Sequence, residues 1–395
     1  MMPSKTFCTA PWYATYYKDS VKKYKMCCVF DTWTPADSPE AYYNTPIVQD
    51  VRAKMLKGEW HSGCSQCEYQ EKNGLGSDRH TFNNMYKKEI ADGVDTERFT
   101  LKWLDYRPGN LCNLKCRMCH PSNSSLIDKE TQANPELQEF MGKTAYPENK
   151  DLLPSIANHE TFKDLEVLKI LGGEPTIDPQ IQTLLNWVIE KGYAKNINLR
   201  FTTNVTNMNP KWVTAVNKFK TSKIQISLDG TGPTFNYIRT GANWGKIKEN
   251  TLKCPTTYNN IRNMGSNIVW SIYNCFTVDE WYPELLEMRK SIREHNIGYE
   301  FNVINCTHPD YQLVSNLPDE FRQIIIDKLD NMGINDDVTK SLRVYTKQNT
   351  SMPDQLAKKH LIKFFKHNDI LDRLRKTNID TLSPEYKQLR EIANG

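Results

Sequence analysis

Cys112-Asn113-Leu114-Lys115-Cys116-Arg117-Met118-Cys119 places three thiols within eight residues, with three and then two residues between successive cysteines. A closed thiolate metal site takes four ligands, and no fourth cysteine lies near this stretch in the sequence. Three thiolates on an iron–sulfur cluster would therefore leave one iron open to a small molecule. The same thiols could instead form an incomplete zinc site, or fill space as buried side chains.

The composition bounds the class of protein. A chain of 395 residues with 38% hydrophobic and 25% charged residues is long enough for two or three domains. No apolar run approaches the roughly 18 residues that cross a bilayer, and residues 1–12 contain no apolar signal segment. We therefore expect a cytoplasmic protein without membrane contact, whose eleven cysteines stay reduced and serve metal or redox chemistry.

The charge is balanced. The 51 basic residues exceed the 47 acidic ones by only four, and both signs are mixed along the chain. A groove for a polynucleotide needs a basic track, so nucleic acid is not an expected partner.

Five of the cysteines lie near the N-terminus, in a section rich in turns and aromatic residues: Cys8, Cys27, Cys28, Cys64 and Cys67. The last two form a CxxC pair that follows a predicted helix over 47–58. Two further thiols would close a four-thiolate site, with either zinc or an iron–sulfur cluster, and the metal would supply part of the folding energy. If residues 26–30 are extended, Cys27 and Cys28 point to opposite faces and only one is a ligand.

From about residue 96 the pattern alternates between strands and helices. The predicted strands are 100–106, 165–171, 197–203, 223–228, 268–276 and 299–304. The predicted helices between them are 179–191, 210–218, 245–253 and 283–294. Such alternation predicts an α/β fold with a parallel sheet, in the form of a partial (β/α)6 TIM-type barrel.

Polar and glycine-rich stretches follow the carboxyl ends of the first four predicted strands, where barrels of this kind carry their chemistry. These stretches are the cysteine motif, Gly172-Gly173-Glu174, Thr202-Thr203-Asn204, and Ser227-Leu228-Asp229-Gly230. Their concentration at one end of the strands favours a functional site over ordinary turns. Cys275 and Cys306 stand near the ends of the last two strands, as buried inert thiols or as hydrogen-atom donors.

The CxxxCxxC motif, the GGE stretch and the fourth-strand motif together resemble the radical S-adenosylmethionine (SAM) enzymes. The resemblance implies that Cys112, Cys116 and Cys119 hold a [4Fe–4S] cluster that binds SAM and cleaves it reductively. The resulting 5′-deoxyadenosyl radical would then remove a hydrogen atom from the substrate. A flavodoxin or ferredoxin would supply the electron.

The resemblance also implies the residues that contact SAM. Gly172, Gly173 and Glu174 would receive its ammonium group, because bare backbone permits close approach. Ser227 and Asp229 would contact its carboxylate or ribose, and Arg239 its carboxylate. The remaining expected contacts are Thr203 and Asn204 after the third strand, and Met118, which stands where the family usually has an aromatic residue near the adenine.

The N-terminal pattern CxxPW…CC…GCxxCxxxExxGxxSxR resembles the twitch type of SPASM auxiliary domain. This resemblance implies a second [4Fe–4S] cluster on Cys8, Cys27, Cys64 and Cys67, although the usual SPASM segment follows the core and here it precedes it. The expected domains are therefore a twitch-like iron–sulfur domain over 1–95, a radical SAM barrel over 96–306, and a C-terminal helical cap over 307–395.

The substrate follows only from this resemblance. SPASM and twitch enzymes mostly modify peptides or proteins, so a peptide is the first hypothesis. A nucleotide or another small metabolite is the alternative, and a zinc-containing binding protein without catalytic activity is the third.

Overall fold

The computed structural model of the protein describes residues 2–142, 151–348 and 353–395. The chain divides into two compact units. Of the described residues, the first unit takes those within Met1–Gly109, Pro147–Phe201 and Thr214–Ser222. The second takes those within Asn110–Tyr146, Thr202–Val213 and Lys223–Gly395.

The strands of the described residues are β1 Ala14–Lys18, β2 Lys23–Lys25, β3 Thr34–Pro35, β4 Trp103–Arg107, β5 Lys115–Cys116, β6 Val167–Ile170, β7 Asn198–Thr203, β8 Thr221–Ser227, β9 Arg239–Thr240, β10 Ile261–Trp270 and β11 Gly298–Asn305. The helices are α1 Ala10–Tyr13, α2 Pro39–Tyr43, α3 Pro46–Leu56, α4 Ser65–Lys72, α5 Asp78–Met85, α6 Lys87–Asp92, α7 Ser125–Ala133, α8 Gln138–Met141, α9 His159–Phe162, α10 Pro179–Glu190, α11 Pro210–Val216, α12 Gly232–Ile238, α13 Trp244–Thr257, α14 Val278–Arg293, α15 Asp319–Asn331, α16 Asp337–Thr346, α17 Asp354–Arg375 and α18 Pro384–Asn394.

The first unit is built on strands in the order β7-β6-β4-β1-β2-β3. The pairs β1–β4, β4–β6 and β6–β7 are parallel, whereas β2 pairs antiparallel with β1 and β3. Residues 14–17 of β1 are buried on both faces, as expected of an inner strand. The sequence analysis did not predict β1, because it treated the N-terminal section as a separate small domain.

The second unit carries β8, β10 and β11, with β10 between the other two. Strands β10 and β11 pair in parallel from Asn263↔Gly298 to Trp270↔Asn305. The predicted fifth strand was wrong in position, since β10 ends at Trp270. The chain turns there because the Asn274 side chain accepts a hydrogen bond from Ser271 N (3.0 Å) and donates one to Val269 O (2.9 Å).

The chain after β11 is helical, as predicted, and α15 and α17 lie where the sequence pattern predicts helices over 317–332 and 357–376. Helix α17 buries Leu361, Phe364, Phe365 and Leu371 along one side, which is the pattern of a helix that packs on a core. Helices α16 and α18 were not predicted. In the part of the chain that the structure describes, no helix combines the length and the apolar character needed to span a bilayer.

The fold class is therefore confirmed as α/β with a mostly parallel sheet and a helical C-terminal part. Closure into a partial barrel and the twitch character of the N-terminal section stay predictions. The three domain boundaries also stay predictions, because the two compact units group residues by packing and each is assembled from separate segments of the chain.

Asp19 joins three elements of the first unit through its buried carboxylate. Tyr17 Oη of β1 donates to it at 2.8 Å, Tyr106 Oη of β4 at 2.9 Å, and Gln180 Nε2 of α10 at 3.1 Å. Lys22 forms an ion pair with it at the edge of the core. The carboxylate thus satisfies buried donors that have come from distant parts of the sequence.

We expect Asp19→Ala to lower the free energy of unfolding by about 3–5 kcal/mol, because it leaves buried donors without an acceptor. Urea denaturation followed by circular dichroism would measure the change. The exposed Asp92→Ala is the matched control and should change stability by about 0.5 kcal/mol or less. Equal effects of the two substitutions would contradict the assignment of Asp19 as a structural hub.

Candidate iron–sulfur and cofactor site

The loop that carries the three central cysteines is fixed by backbone pairing in the second unit. Strand β5 pairs antiparallel with β9, so that Cys116 lies opposite Arg239. Arg117 N donates to Ile238 O at 2.9 Å, and Cys119 N donates to Cys116 O at 3.1 Å. These bonds set the backbone positions of the second and third thiols relative to each other.

The first thiol is fixed by the start of α7. Ser125 Oγ lies 3.3 Å from Cys112 N and 3.4 Å from Cys112 O, and Ser124 Oγ donates to Leu114 O at 2.7 Å. Ser124 also caps α7 by accepting from Ile127 N. The sequence analysis missed this pair of serines, although a serine before an apolar helical segment is the usual signal of a helix start.

Arg239 is the cation beside the cysteines. Its Nη1 donates to Cys116 Sγ at 3.6 Å, and its Nη2 donates to Asp229 Oδ2 at 2.5 Å. Asp229 is buried and also accepts from Val269 N at 2.8 Å, so its own position is fixed. Arg239 Nε is buried and makes no hydrogen bond within the described residues, which leaves one donor for a ligand.

The thiols of this loop are partly exposed, but Cys116 and Cys119 are poor at ionising on their own. Burial raises the pKa of Cys116, which the neighbouring Arg239 guanidinium partly offsets. Burial raises the pKa of Cys119 to about 12, and the two other thiols add to this effect. A bound metal centre would supply the positive charge that makes all three thiolates stable.

Gly172, Gly173 and Glu174 lie in the first unit, after β6. Gly172 has a φ of +134°, and a Cβ placed on it would lie 3.0 Å from Gly109 O, so only glycine fits there without strain. Glu174 is buried, and its Oε1 accepts from Thr176 Oγ1 at 2.7 Å. The turn thus offers the bare backbone edge that the sequence predicted, with Glu174 capping the turn that follows.

The other predicted SAM contacts lie in the second unit, at the ends of β7 and β8 and in the cysteine loop. Asn204 is already engaged, since its Nδ2 donates to Asn113 Oδ1 at 2.9 Å and its Oδ1 accepts from Thr206. Thr203 Oγ1 accepts from Val205 N at 3.0 Å. Ser227 and Met118 are half-buried. Asn204 therefore supports the loop directly, which the sequence did not indicate.

Four of the five N-terminal thiols line one small cavity in the first unit. They are Cys8, Cys27, Cys64 and Cys67, which is the set that the sequence predicted. Apolar side chains, among them Met26, Trp60 and Phe82, complete the lining together with Asp78 and Arg79. Burial raises the pKa of all four thiols, to about 12 for Cys64. A cavity with four soft donors fits an iron–sulfur cluster or zinc better than a hard cation.

Cys28 differs from its neighbour. It does not line the cavity, and its Sγ donates to Asp78 Oδ2 at 3.0 Å. Burial raises the pKa of Cys28 to about 12, and the adjacent Asp78 adds to the rise. The thiol is therefore held in its protonated form by a carboxylate, whereas Cys27 faces the other three cysteines.

The remaining residues of the N-terminal pattern form a scaffold around this cavity. Arg79 donates to both carboxylate oxygens of Glu71 (2.8 and 2.6 Å), and Ser77 Oγ donates to Glu71 at 2.6 Å. Arg79 Nη1 and Asn83 Nδ2 both donate to Phe7 O, at 3.2 and 2.7 Å. Burial opposes ionisation of Glu71, but the bonds from Arg79 and Ser77 keep its pKa below the usual value.

Neither thiol set converges on a single ion. Within the described ranges, no three His, Cys, Asp or Glu side chains are arranged to hold one metal ion. A zinc site draws all its sulfurs to about 2.3 Å from one atom, whereas each thiolate of an iron–sulfur cluster binds a different iron.

Cys275 and Cys306 are buried and donate to backbone carbonyls, of Ile272 and His308, as inert thiols do.

Comparison with known proteins assigns part of the chain. Residues 106–257 match the family model described as the radical SAM superfamily, so this part of the chain is a radical SAM domain. Proteins of that superfamily are enzymes that use SAM and a [4Fe–4S] cluster. No curated protein matches the chain.

Among solved structures, the chain is similar to Streptococcus suis SuiB bound to S-adenosylmethionine, at 17% identity and a TM-score of 0.36. The match covers 72% of this chain and 63% of that one. It is also similar to SuiB bound to the precursor peptide SuiA, at 16% identity and a TM-score of 0.35, covering 72% and 64% of the two chains.

We expect Arg239→Gln to raise the pKa of Cys116 further, because it removes the cation that stabilises the thiolate. In the metal-free full chain with Cys112→Ser and Cys119→Ser, alkylation of Cys116 by iodoacetamide at pH 8 should slow by about threefold or more. Its pH profile should move to higher pH. Arg239→Lys should retain part of the rate, and the exposed Arg262→Gln should not change it. An unchanged profile in Arg239→Gln would refute this role.

Proposed function

We propose that this protein is a radical SAM enzyme in which Cys112, Cys116 and Cys119 hold a [4Fe–4S] cluster with one iron open to SAM. The observation that carries the proposal is the contact of Arg239 with Cys116, within the segment that matches the radical SAM family. Three thiols on one fixed loop, beside a cation whose position is set by a buried carboxylate, form a site for an anionic cluster.

The cluster would supply one electron to SAM and so generate the 5′-deoxyadenosyl radical that removes a hydrogen atom from the substrate. The chain's own residues would bind and orient SAM and the substrate, and would shield them from water. Arg239 donates to the Cys116 sulfur and keeps one buried N–H for a further acceptor, such as the SAM carboxylate. By the resemblance of the GGE stretch, the backbone of Gly172 and Gly173 would receive the SAM ammonium group, because glycine permits close approach.

We also propose that Cys8, Cys27, Cys64 and Cys67 hold a second, auxiliary [4Fe–4S] cluster. The support is that these four thiols line one cavity. Burial disfavours ionisation of these thiols, and a bound cluster would offset that cost. This cluster would bind substrate or exchange an electron with the product radical.

The proposed substrate is a peptide or protein, and the proposed electron donor is a flavodoxin or ferredoxin. The support for the substrate class is the resemblance of the N-terminal section to twitch-type auxiliary domains, whose enzymes mostly act on peptides. A nucleotide or another small metabolite is the competing class. Transfer of deuterium from a labelled candidate substrate into 5′-deoxyadenosine would identify the substrate class directly.

Anaerobic reconstitution with iron and sulfide tests the two clusters separately. Cys116→Ala should abolish SAM cleavage by dithionite-reduced protein, since the cluster loses a ligand. Cys64→Ala should retain SAM cleavage, lose substrate turnover and bind about half of the iron. Cys254→Ala is the matched control, because this buried thiol only donates to Asn250 O and should leave both activities unchanged.

Mössbauer and electron paramagnetic resonance spectra would report on the clusters. Addition of SAM should change the spectrum of the central cluster. A colourless protein that contains zinc and does not cleave SAM would overturn the proposal in favour of a binding protein. Loss of all SAM cleavage in a folded Cys64→Ala protein would contradict the separate roles of the two clusters.

The pair Cys27 and Cys28 provides an internal test of the auxiliary site. We expect Cys27→Ser to lose the auxiliary cluster, because Cys27 faces the cavity. Cys28→Ser should retain it, because the serine hydroxyl can still donate to Asp78. Iron analysis and Mössbauer spectra of the two variants would decide, and the opposite result would make Cys28 the ligand.

A further inference from the structure

Of the two residues between the second and third cysteines, the first is an arginine that is almost completely buried. Arg117 has 1% of its surface exposed, and a charge in that position is costly unless it is fully paired. Its neighbours in the loop are cysteines and Met118, none of which can accept its hydrogen bonds as an anion would. The acceptors come instead from α12 and from the C-terminal helix α17.

Every nitrogen of the Arg117 guanidinium has a partner. Nε donates to Tyr237 O at 3.0 Å, Nη1 to Asn368 Oδ1 at 2.9 Å, and Nη2 to Asp372 Oδ1 at 2.6 Å. Nη2 also donates to Thr377 Oγ1 at 2.5 Å, and the guanidinium carbon lies 3.7 Å from the centre of the Tyr237 ring. The guanidinium therefore has one orientation available, which fixes the backbone between Cys116 and Cys119.

Both carboxylate oxygens of Asp372 accept several hydrogen bonds. Besides Arg117, its Oδ1 accepts from Thr377 Oγ1 at 2.7 Å. Its Oδ2 accepts from Ile379 N at 3.0 Å, Tyr237 Oη at 3.1 Å and Asn368 Nδ2 at 3.1 Å. The Asp372 carboxylate therefore holds Arg117 and the turn after α17 together.

A second arginine, Arg375 at the end of α17, holds the other side of the loop. Arg375 Nη1 donates to Lys115 O at 2.8 Å, next to Cys116. Its Nη2 donates to Glu130 Oε2 at 2.6 Å, and Glu130 Oε1 accepts from Lys115 Nζ at 2.7 Å. The last turn of α17 therefore holds the residues on both sides of Cys116. Asp372 pairs with Arg117, and Arg375, which pairs with Glu130, donates to Lys115 O.

We propose that α17 is a clamp that holds the cysteine loop in its cluster-binding geometry, with Asp372 and Arg375 as positioning residues that act through Arg117 and Lys115. The role of the clamp in cluster binding rests on the proposed function, whereas the contacts that form the clamp belong to the chain itself. It assigns to the C-terminal helical part, which carried no recognisable motif, a direct role in the radical SAM site. A loop fixed in advance binds a cluster without first having to be ordered.

The clamp is tested by hydrogen–deuterium exchange of the full chain, before and after reconstitution with iron and sulfide. In Asp372→Asn and in Arg375→Gln, the peptide 112–119 should exchange about tenfold faster or more, because the amides of Arg117 and Cys119 lose their fixed backbone. Arg373→Gln is the matched control. It lies on the same helix and is exposed, and within the described residues it pairs only with Glu136, so exchange of 112–119 should not change.

Spectroscopy of the reconstituted protein separates positioning from mere stability. In Arg375→Gln the paramagnetic resonance signal of the reduced central cluster should broaden, and the change caused by SAM should shrink, at wild-type iron content. Arg375→Lys should restore part of the signal, because it keeps a donor to Lys115 O. If Asp372→Asn does not fold, Arg375→Gln alone decides.

Unchanged exchange of 112–119 in a folded Arg375→Gln protein would overturn the clamp. So would an equal acceleration in Arg373→Gln, which would indicate a general effect of helix α17. If the wild-type protein bound no cluster at Cys112, Cys116 and Cys119, the proposed function would fail, whereas the exchange measurement on the metal-free chain would still decide whether α17 holds the loop.

Discussion

A thiolate in a partly buried loop needs a positive charge, and Arg239 provides one for Cys116. Burial raises the pKa of this thiol, and the guanidinium opposes the rise. An arginine so placed would itself be costly to bury, and Asp229 offsets that cost by accepting from Nη2. Val269 N in turn fixes Asp229. This chain of contacts places positive charge at the loop as part of the fold, before any cofactor binds.

The N-terminal thiols depend on the cavity that they line. Burial raises the pKa of Cys8 and of Cys64, and Arg79, which pairs with Glu71, only partly offsets the rise for Cys8. The proposed cluster would supply the further positive charge at which the four thiols ionise.

Local patterns in the sequence predicted the local features of the structure. The thiol spacings, the strands β6 to β8 and the turn at Gly172 were all readable, because each depends on neighbouring residues. Strand β10 was misplaced because its first half is polar, and the chain is turned by Asn274 rather than by glycine or proline. The contact between Arg117 and Asp372 joins residues 255 positions apart, so no local pattern indicates it.

Polar residues at strand ends also hold the loops around the site. Asn204, which follows β7 and is a predicted SAM contact, bonds through its amide to Asn113 and Thr206. In the same way Glu71 and Arg79, which belong to the N-terminal pattern, bond to each other and to the backbone at Phe7. These side-chain bonds add to the backbone pairing that already holds the Cys112–Cys119 loop. A sequence pattern around cysteines can therefore describe the support of a metal site as much as its chemistry.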